Sequence, residues 1–236
     1  MRILMITFSI ITITLLLLGT YILHLDSVGK VPDLATRTST QLQNGVFINN
    51  VPTQLGFSFS KLMSVARAYF NKDAMAATPP TQIPIDTTEW KPEPFYWSWL
   101  GHASVLIHLE GKNYLIDPVF SERASMVQWA GPKRFHSVPE QINSVSEIDG
   151  IIISHDHYDH LDYQTILELD HKTKRYFVPI GVGSHLTFWG IDPSKITELD
   201  WWQSYHDDTV TLVATPARHF SGRGLFDRNK TLWASW

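Results

Sequence analysis

The sequence has no cysteine in 236 residues. That excludes disulfides, thiolate metal ligands, a cysteine nucleophile and a cysteine-borne lipid anchor. Any metal site must therefore draw on histidine and carboxylate side chains. Charge is sparse and nearly balanced, with 19 basic and 23 acidic residues for a formal net charge of −4. No long basic run offers a surface to nucleic acid, so none is expected as a partner. G-x-S-x-G, Walker A and G-x-G-x-x-G motifs are absent, which leaves serine-hydrolase and nucleotide-binding readings without support. There is no internal repeat and no low-complexity segment. With 44% hydrophobic and 18% charged residues, the chain can bury a sizeable core.

Charge is missing altogether from Ile3 to Leu23, "ILMITFSIITITLLLLGTYIL". As a helix this run would span roughly 31 Å, about the thickness of a bilayer core. Its Thr and Ser side chains can bond back to their own helix. A signal peptide has a shorter apolar region, about 7–15 residues, and a small-residue cleavage site. Neither fits here, so residues 1–24 are expected to form an uncleaved single-pass anchor. The weak charge bias favours an inside N-terminus and an extracytoplasmic body.

Residues 25–89 show little period and are expected to link the anchor to the main domain. The stretch 25–52 reads as a tether. "LGFSFSKLMSVARAYF" at 55–70 has helical apolar spacing, for packing on the domain or lying on a membrane surface. "ATPPTQIP" at 77–84 is a proline-rich linker. The main domain is expected over residues 90–236. "SVLIHLEGKNYLIDP" predicts two strands joined at Glu110-Gly111-Lys112. "DGIIIS" is a short continuous apolar run, as in a strand covered on both faces. Asp162 is placed to cap a helix over "YQTILEL", and "RYFVPI" and "TVTLVATP" read as further strands. Helices interleaved with strands give an α/β or α+β class.

The chemistry concentrates in "IIISHDHYDHLD", Ile151 to Asp162. Ser154 ends a strand, so the following residues lie on the loop at its C-terminal end, where sites in such sheets form. His155 and His157, two apart in an extended loop, point the same way and can reach one metal. Asp159 and His160 follow as the chain turns and can address an adjacent position. Imidazoles with a carboxylate suit zinc and related ions, and two such ions about 3.5–4 Å apart can share an in-line displacement. Given 11 histidines in the chain, chance would give H-x-H-x-D-H with a probability on the order of 10⁻³. His219, in "TPARHF" after a strand, supplies a third ligand for the first metal.

The stretches "WLGHASVLIHLEGKNYLIDPVFSERAS", "GPKRF", "SHDHYDHLDY", "ELDWW" and "TPARHFSGRGLFDRNKTLWASW" are collinear over about Trp97 to Trp236. Together they resemble the N-acylphosphatidylethanolamine-hydrolysing phospholipase D group of the metallo-β-lactamase fold superfamily. The resemblance implies a four-layer αββα sandwich, of which this chain holds the N-terminal part; the transmembrane helix expected from the uncharged run precedes it. It implies two Zn2+ ions and phosphodiester hydrolysis of a phospholipid at a membrane, releasing N-acylethanolamine and phosphatidic acid. His155, His157 and His219 match the first zinc site, and Asp159 and His160 match the second. Asp117 in "LIDP" matches an aspartate that holds a ligand imidazole by its other nitrogen, although a turn residue before Pro118 would look the same. Asp159, His160 and Asp117 are thus the candidate catalytic set.

The resemblance also implies a bridging aspartate and a final histidine downstream of the segment matching "LWASW". The sequence stops at Trp236, as in a truncated or fragmentary chain. About one zinc is therefore expected here, with low activity and self-association through an exposed half-core. Alternatives remain: another ester, lactone or phosphodiester substrate on the same fold, or an inactive metal-binding remnant. Lys133 and Arg134 in "GPKRF" are candidates for a lipid phosphate or equally a solvated charged turn, with Arg123 behind them. His102 reads either as a residue near the metals or as a core histidine. The aromatic group Trp90, Phe95, Tyr96, Trp97 and Trp99 is expected to pack in the core, as are Trp201 and Trp202, with a membrane-interface belt as the alternative.

Overall fold

A computed structural model describes residues 2–53, 60, 61, 63, 64, 67 and 94–236. Trp90, the linker at 77–84 and most of the helix expected over 55–70 lie outside the described residues. The uncharged N-terminal run forms helix α1, Arg2–Leu23. Thr12, Thr14 and Thr20 each donate to the carbonyl four residues back at 2.9 Å, which satisfies their hydroxyls without water. Met5–Leu23 is long and apolar enough to cross a membrane by length and composition, and none of it is buried against the rest of the chain.

The body is a mixed α/β domain built on one six-stranded sheet. Its strands are β3 (Phe95–Gly101), β4 (Ser104–Leu109), β5 (Lys112–Ile116), β6 (Gly150–Ile152), β7 (Tyr176–Pro179) and β8 (Ile196–Leu199), in that spatial order. Strands β3 to β5 run antiparallel as a meander, and β5 to β8 run parallel. The β4–β5 turn is two residues, with Glu110 at φ 50° and Gly111 at φ 78°. Two positive φ values are what a hairpin turn matched to strand twist requires. Gly150 opens β6 because a Cβ there would stand 2.7 Å from the Phe177 ring and 2.9 Å from that of Tyr114.

Alternation along β6 and β7 feeds two cores. Ile151, Ile153, Tyr176 and Val178 join the cluster under helices α2 (Tyr163–Asp170) and α3 (Gly183–Phe188). Ile152 and Phe177 face the other way, toward Tyr205, Val210 and Leu212. These belong to a small antiparallel ribbon, β9 (Ser204–His206) with β10 (Thr211–Val213), which covers part of the second face. Ser154–His160 and Asp117 follow the C-terminal ends of adjacent parallel strands, so the motif lies along one edge of the sheet.

Three expectations need correction. Residues 26–49 are not a tether: Val28 is buried, and Phe47 of the ribbon β1 (Leu42–Gln43) with β2 (Val46–Phe47) packs with Leu199, Trp201 and Trp233. This stretch lacks periodicity because it packs as irregular chain, held by individual hydrogen bonds. Phe95, Trp97 and Trp99 are exposed on one face of the edge strand β3, and only Tyr96 turns inward, stacked on His108. Trp202 is exposed whereas Trp201 is buried, since adjacent residues take opposite sides. Finally, Asp162 precedes α2 without capping it. Its carboxylate accepts instead from Ser121 N at 2.9 Å, Ser121 Oγ at 2.8 Å and Thr165 Oγ1.

Candidate metal centre

The loop after β6 turns three imidazoles onto one point. His155 Nε2 lies 2.9 Å from His157 Nδ1 and 2.9 Å from His219 Nε2, and His219 Nε2 lies 3.3 Å from His157 Nδ1. Around a tetrahedral ion with bonds of about 2.0–2.1 Å, ligand nitrogens stand roughly 3.3 Å apart. The donor set therefore fits a divalent cation. The second part of the motif makes a separate group: His102, Asp159 and His160 offer ligand atoms that all lie within 4.8 Å of one another. His102 Nε2 is 3.0 Å from Asp159 Oδ2, and His160 Nε2 is 3.7 Å from it. The His155 and His160 rings are 4.1 Å apart, so the two groups adjoin.

Asp117 stands behind both groups. It accepts from Ser154 N at 2.7 Å, Ser154 Oγ at 2.6 Å and His160 Nδ1 at 2.7 Å. With His160 Nδ1 carrying the proton, Nε2 keeps its lone pair. Ser154 Oγ, spending its proton on Asp117, accepts from His155 Nδ1 at 2.9 Å, and His155 Nε2 also stays proton-free. Asp117 holds a φ of 42°, a costly conformation for a residue with a Cβ, and the three hydrogen bonds on its carboxylate fix it there.

Proton affinities follow from this packing. Burial, with the neighbouring His160, His157 and His219, lowers the His155 pKa to about 2. Burial also lowers His157, outweighing the attraction of Asp156 and Asp159. His219 is lowered by burial and by His157 and His160. In His160 burial acts downward too, but the hydrogen bond and charge of Asp117 leave its pKa raised. Burial would raise Asp159, yet His160, its own backbone N–H and His102 hold it low. Neutral imidazoles and an ionised carboxylate are the forms that bind a metal.

Several supporting residues carry no sequence signal. Asn49 clamps the backbone of His219 from both sides: Nδ2 donates to His219 O at 2.8 Å, and Oδ1 accepts from His219 N at 3.0 Å. Asp156, between the first two histidines, points away from the centre and accepts from Gly222 N and Thr231 Oγ1. Arg223 is buried and donates to the carbonyls of Asp156, Leu161 and Ser27. A lone arginine or asparagine far along the chain gives no hint of such partners. His102 is brought to Asp159 from 57 residues away, and its exposed side chain is not that of a core histidine.

The candidates for a lipid phosphate have partners within the chain. Lys133 pairs with Glu122 at 2.7 Å on the surface. Arg134 is half-buried and donates to Val119 O, to Leu100 O at 2.7 Å and to His136 O at 3.3 Å. Those carbonyls engage the guanidinium face that a bidentate grip on phosphate would need. Arg123 Nη1 donates to Gly131 O at 2.6 Å.

Residues 112–236, more than half of the chain, match the family described as the β-lactamase superfamily domain. The chain belongs to this family. Among its relatives, an uncharacterised protein of Mycobacterium tuberculosis strain H37Rv is 49% identical over 140 residues, 59% of this chain and 37% of that protein. The N-acyl-phosphatidylethanolamine-hydrolyzing phospholipase D 1 of Caenorhabditis elegans is 38% identical over 148 residues, 59% of this chain and 42% of the relative. The mitochondrial N-acyl-phosphatidylethanolamine-hydrolyzing phospholipase D of Saccharomyces cerevisiae is 36% identical over 157 residues, 64% of this chain and 33% of the relative. The chain thus spans less than half the length of these relatives.

Proposed function

We propose that this chain serves metal-dependent hydrolysis of a phosphodiester, with an N-acylated phospholipid as substrate and N-acylethanolamine and phosphatidic acid as products. The observation that carries the reading is the meeting of three imidazole nitrogens at 2.9–3.3 Å beside the His102–Asp159–His160 group. The phospholipase D relatives at 36–38% identity support the substrate class.

His155, His157 and His219 would hold one cation, and Asp159, His160 and His102 a second beside it. Divalent ions held there would supply Lewis acidity to the phosphoryl oxygens and to the attacking water. Asp117 keeps His160 and, through Ser154, His155 in the tautomers that present lone pairs inward. Asp159, ionised and half-exposed, can accept the proton that the attacking water gives up. A water oxygen bonds to phosphorus, the bond to the N-acylethanolamine oxygen breaks, and that oxygen takes a proton. Zinc suits the ligand set.

Helix α1 would anchor the chain in the membrane that contains the substrate, with the body on the extracytoplasmic side. Turnover of N-acylphosphatidylethanolamine by the metal-loaded chain, measured as released N-acylethanolamine, tests the proposal. Zinc-dependent release that His155→Ala abolishes is expected. Tight zinc binding with hydrolysis of other esters but not of this lipid would overturn the substrate while leaving the metal centre standing.

A further inference from the structure

Helix α1 joins the body at a surface that displays large apolar side chains. The chain just after it is fixed in place. Trp189 Nε1 donates to Asp26 O at 2.7 Å, Ser27 Oγ donates to Met126 O at 2.6 Å, and Arg223 Nη2 donates to Ser27 O at 2.6 Å. Gly224 packs so close to Val28 that a Cβ there would stand 3.2 Å from Val28 Cγ1. Two loops, 126–129 and 223–227, therefore flank the junction. Trp129, Leu225 and Phe226 on these loops are 74%, 54% and 81% exposed. No large apolar side chain among the described residues is more exposed than Phe226.

Single exposed apolar residues are ordinary on a protein surface. Three on two loops around one junction are a patch that calls for a partner. The second loop is also braced: the Asp227 carboxylate accepts from Arg223 N at 3.0 Å and Gly224 N at 2.7 Å. Phe226 is held outward on this turn.

We infer that loops 126–129 and 223–227 rest on the surface of the bilayer that holds α1, with Trp129, Leu225 and Phe226 at the boundary between headgroups and acyl chains. The inference rests on the anchor reading given under Proposed function. Leu23 and Ser27 are four residues apart, so the chain between them spans at most about 14 Å. The polar layer on each side of a bilayer is roughly 5–8 Å thick. A membrane containing α1 thus lies within reach of both loops, and Trp and Phe are side chains suited to its boundary. The consequence is positional. Arg223, which ties Ser27 to the body, also donates to Asp156 O and Leu161 O on the metal-binding loop. The body would lie down on the lipid with that loop at a fixed height, where a tethered domain would sample many.

The absence of cysteine makes this testable on the full chain, because one introduced thiol is labelled uniquely. Phe226→Cys and Trp129→Cys report on the patch. Ile11→Cys reports on α1, and Asp208→Cys on the β9–β10 turn across the sheet. Each variant carries an environment-sensitive fluorophore in phosphatidylcholine vesicles and is challenged with nitroxide-bearing lipids. Positions 226 and 129 are expected to lose emission to headgroup nitroxide, position 11 to acyl-chain nitroxide, and position 208 to neither. If 11 is quenched while 226 and 129 behave like 208, the anchor stands and the inference falls. If 11 is not quenched, both fall. If 226 is shielded from aqueous quencher without any lipid quenching, and the shielding follows protein density, a second copy covers the patch and the inference is overturned.

Discussion

His155 and His102 both neighbour His160, yet the fold backs them very differently. His155 is 5% exposed, and its Nδ1 rests on Ser154 Oγ, itself bonded to Asp117. His219, its partner, is clamped at backbone level by Asn49. His102 has a 60% exposed side chain whose only ion-pair partner among the described residues is Asp159, itself 44% exposed. A buried, pre-formed donor set pays little to order itself, and its electrostatics are not diluted by water. An exposed pair must be drawn together against solvent. The difference teaches that two adjoining donor groups that share one motif need not hold a cation equally well.

The comparison can be broken in graded steps. His155→Ala should have the largest effect: loss of cation binding at the first position by more than the roughly 10–100-fold that outer-shell partners command. Calorimetric zinc titration reads it directly. Asp117→Asn should weaken both positions, and the second by about 10–100-fold, because His160 loses its charged anchor. Equal weakening by Asp117→Asn and Asp117→Ala would mean that the charge is immaterial. Asn49→Ala should reach about the 10-fold end of that range at the first position only. Smallest should be His102→Ala, which touches only the weaker position.

Acid should separate the two groups as well. The pKa values of His155, His157 and His219 are lowered in the fold, while an unfolded histidine titrates near 6.5. Below about pH 6.5 the unfolded chain therefore binds more protons at these three sites, and stability falls as the pH drops. His160 has a raised pKa, so its contribution has the opposite sign and is fully present below about pH 6.5. The metal-stripped chain should melt at a lower temperature near pH 5 than near pH 7.5, and His155→Ala should flatten that dependence. A melting temperature unchanged over this range would contradict the neutral state of the three rings.

The motif itself was legible because its ligands are nearly contiguous. A strand read as running to Ser154, two residues past the observed end of β6, puts His155, His157, Asp159 and His160 on one loop, and no long-range contact is needed to see it. His219 could be read only as a histidine after a strand. The β4–β5 hairpin was legible because Glu110–Gly111 carries local turn chemistry. What stayed hidden depends on tertiary contacts between distant segments. The Asn49 clamp joins residues 170 positions apart, and His102 reaches Asp159 only because β3 and β4 turn back at the sheet edge. Arg134 looked like a phosphate ligand because the sequence does not reveal that carbonyls will take its donors. Phe95, Trp97 and Trp99 looked like core because aromatic content says nothing about which face of an edge strand is covered.

The claim that three imidazoles from His155, His157 and His219 form one cation site of greater strength than its neighbour is tested most directly by titrating zinc into the metal-stripped full chain and its His219→Ala variant. The account predicts one tight and one weaker binding event in the unaltered chain, with the tight event lost in the variant and the weaker one kept. Tight binding that survives His219→Ala unchanged, or is lost equally in His102→Ala, would contradict it.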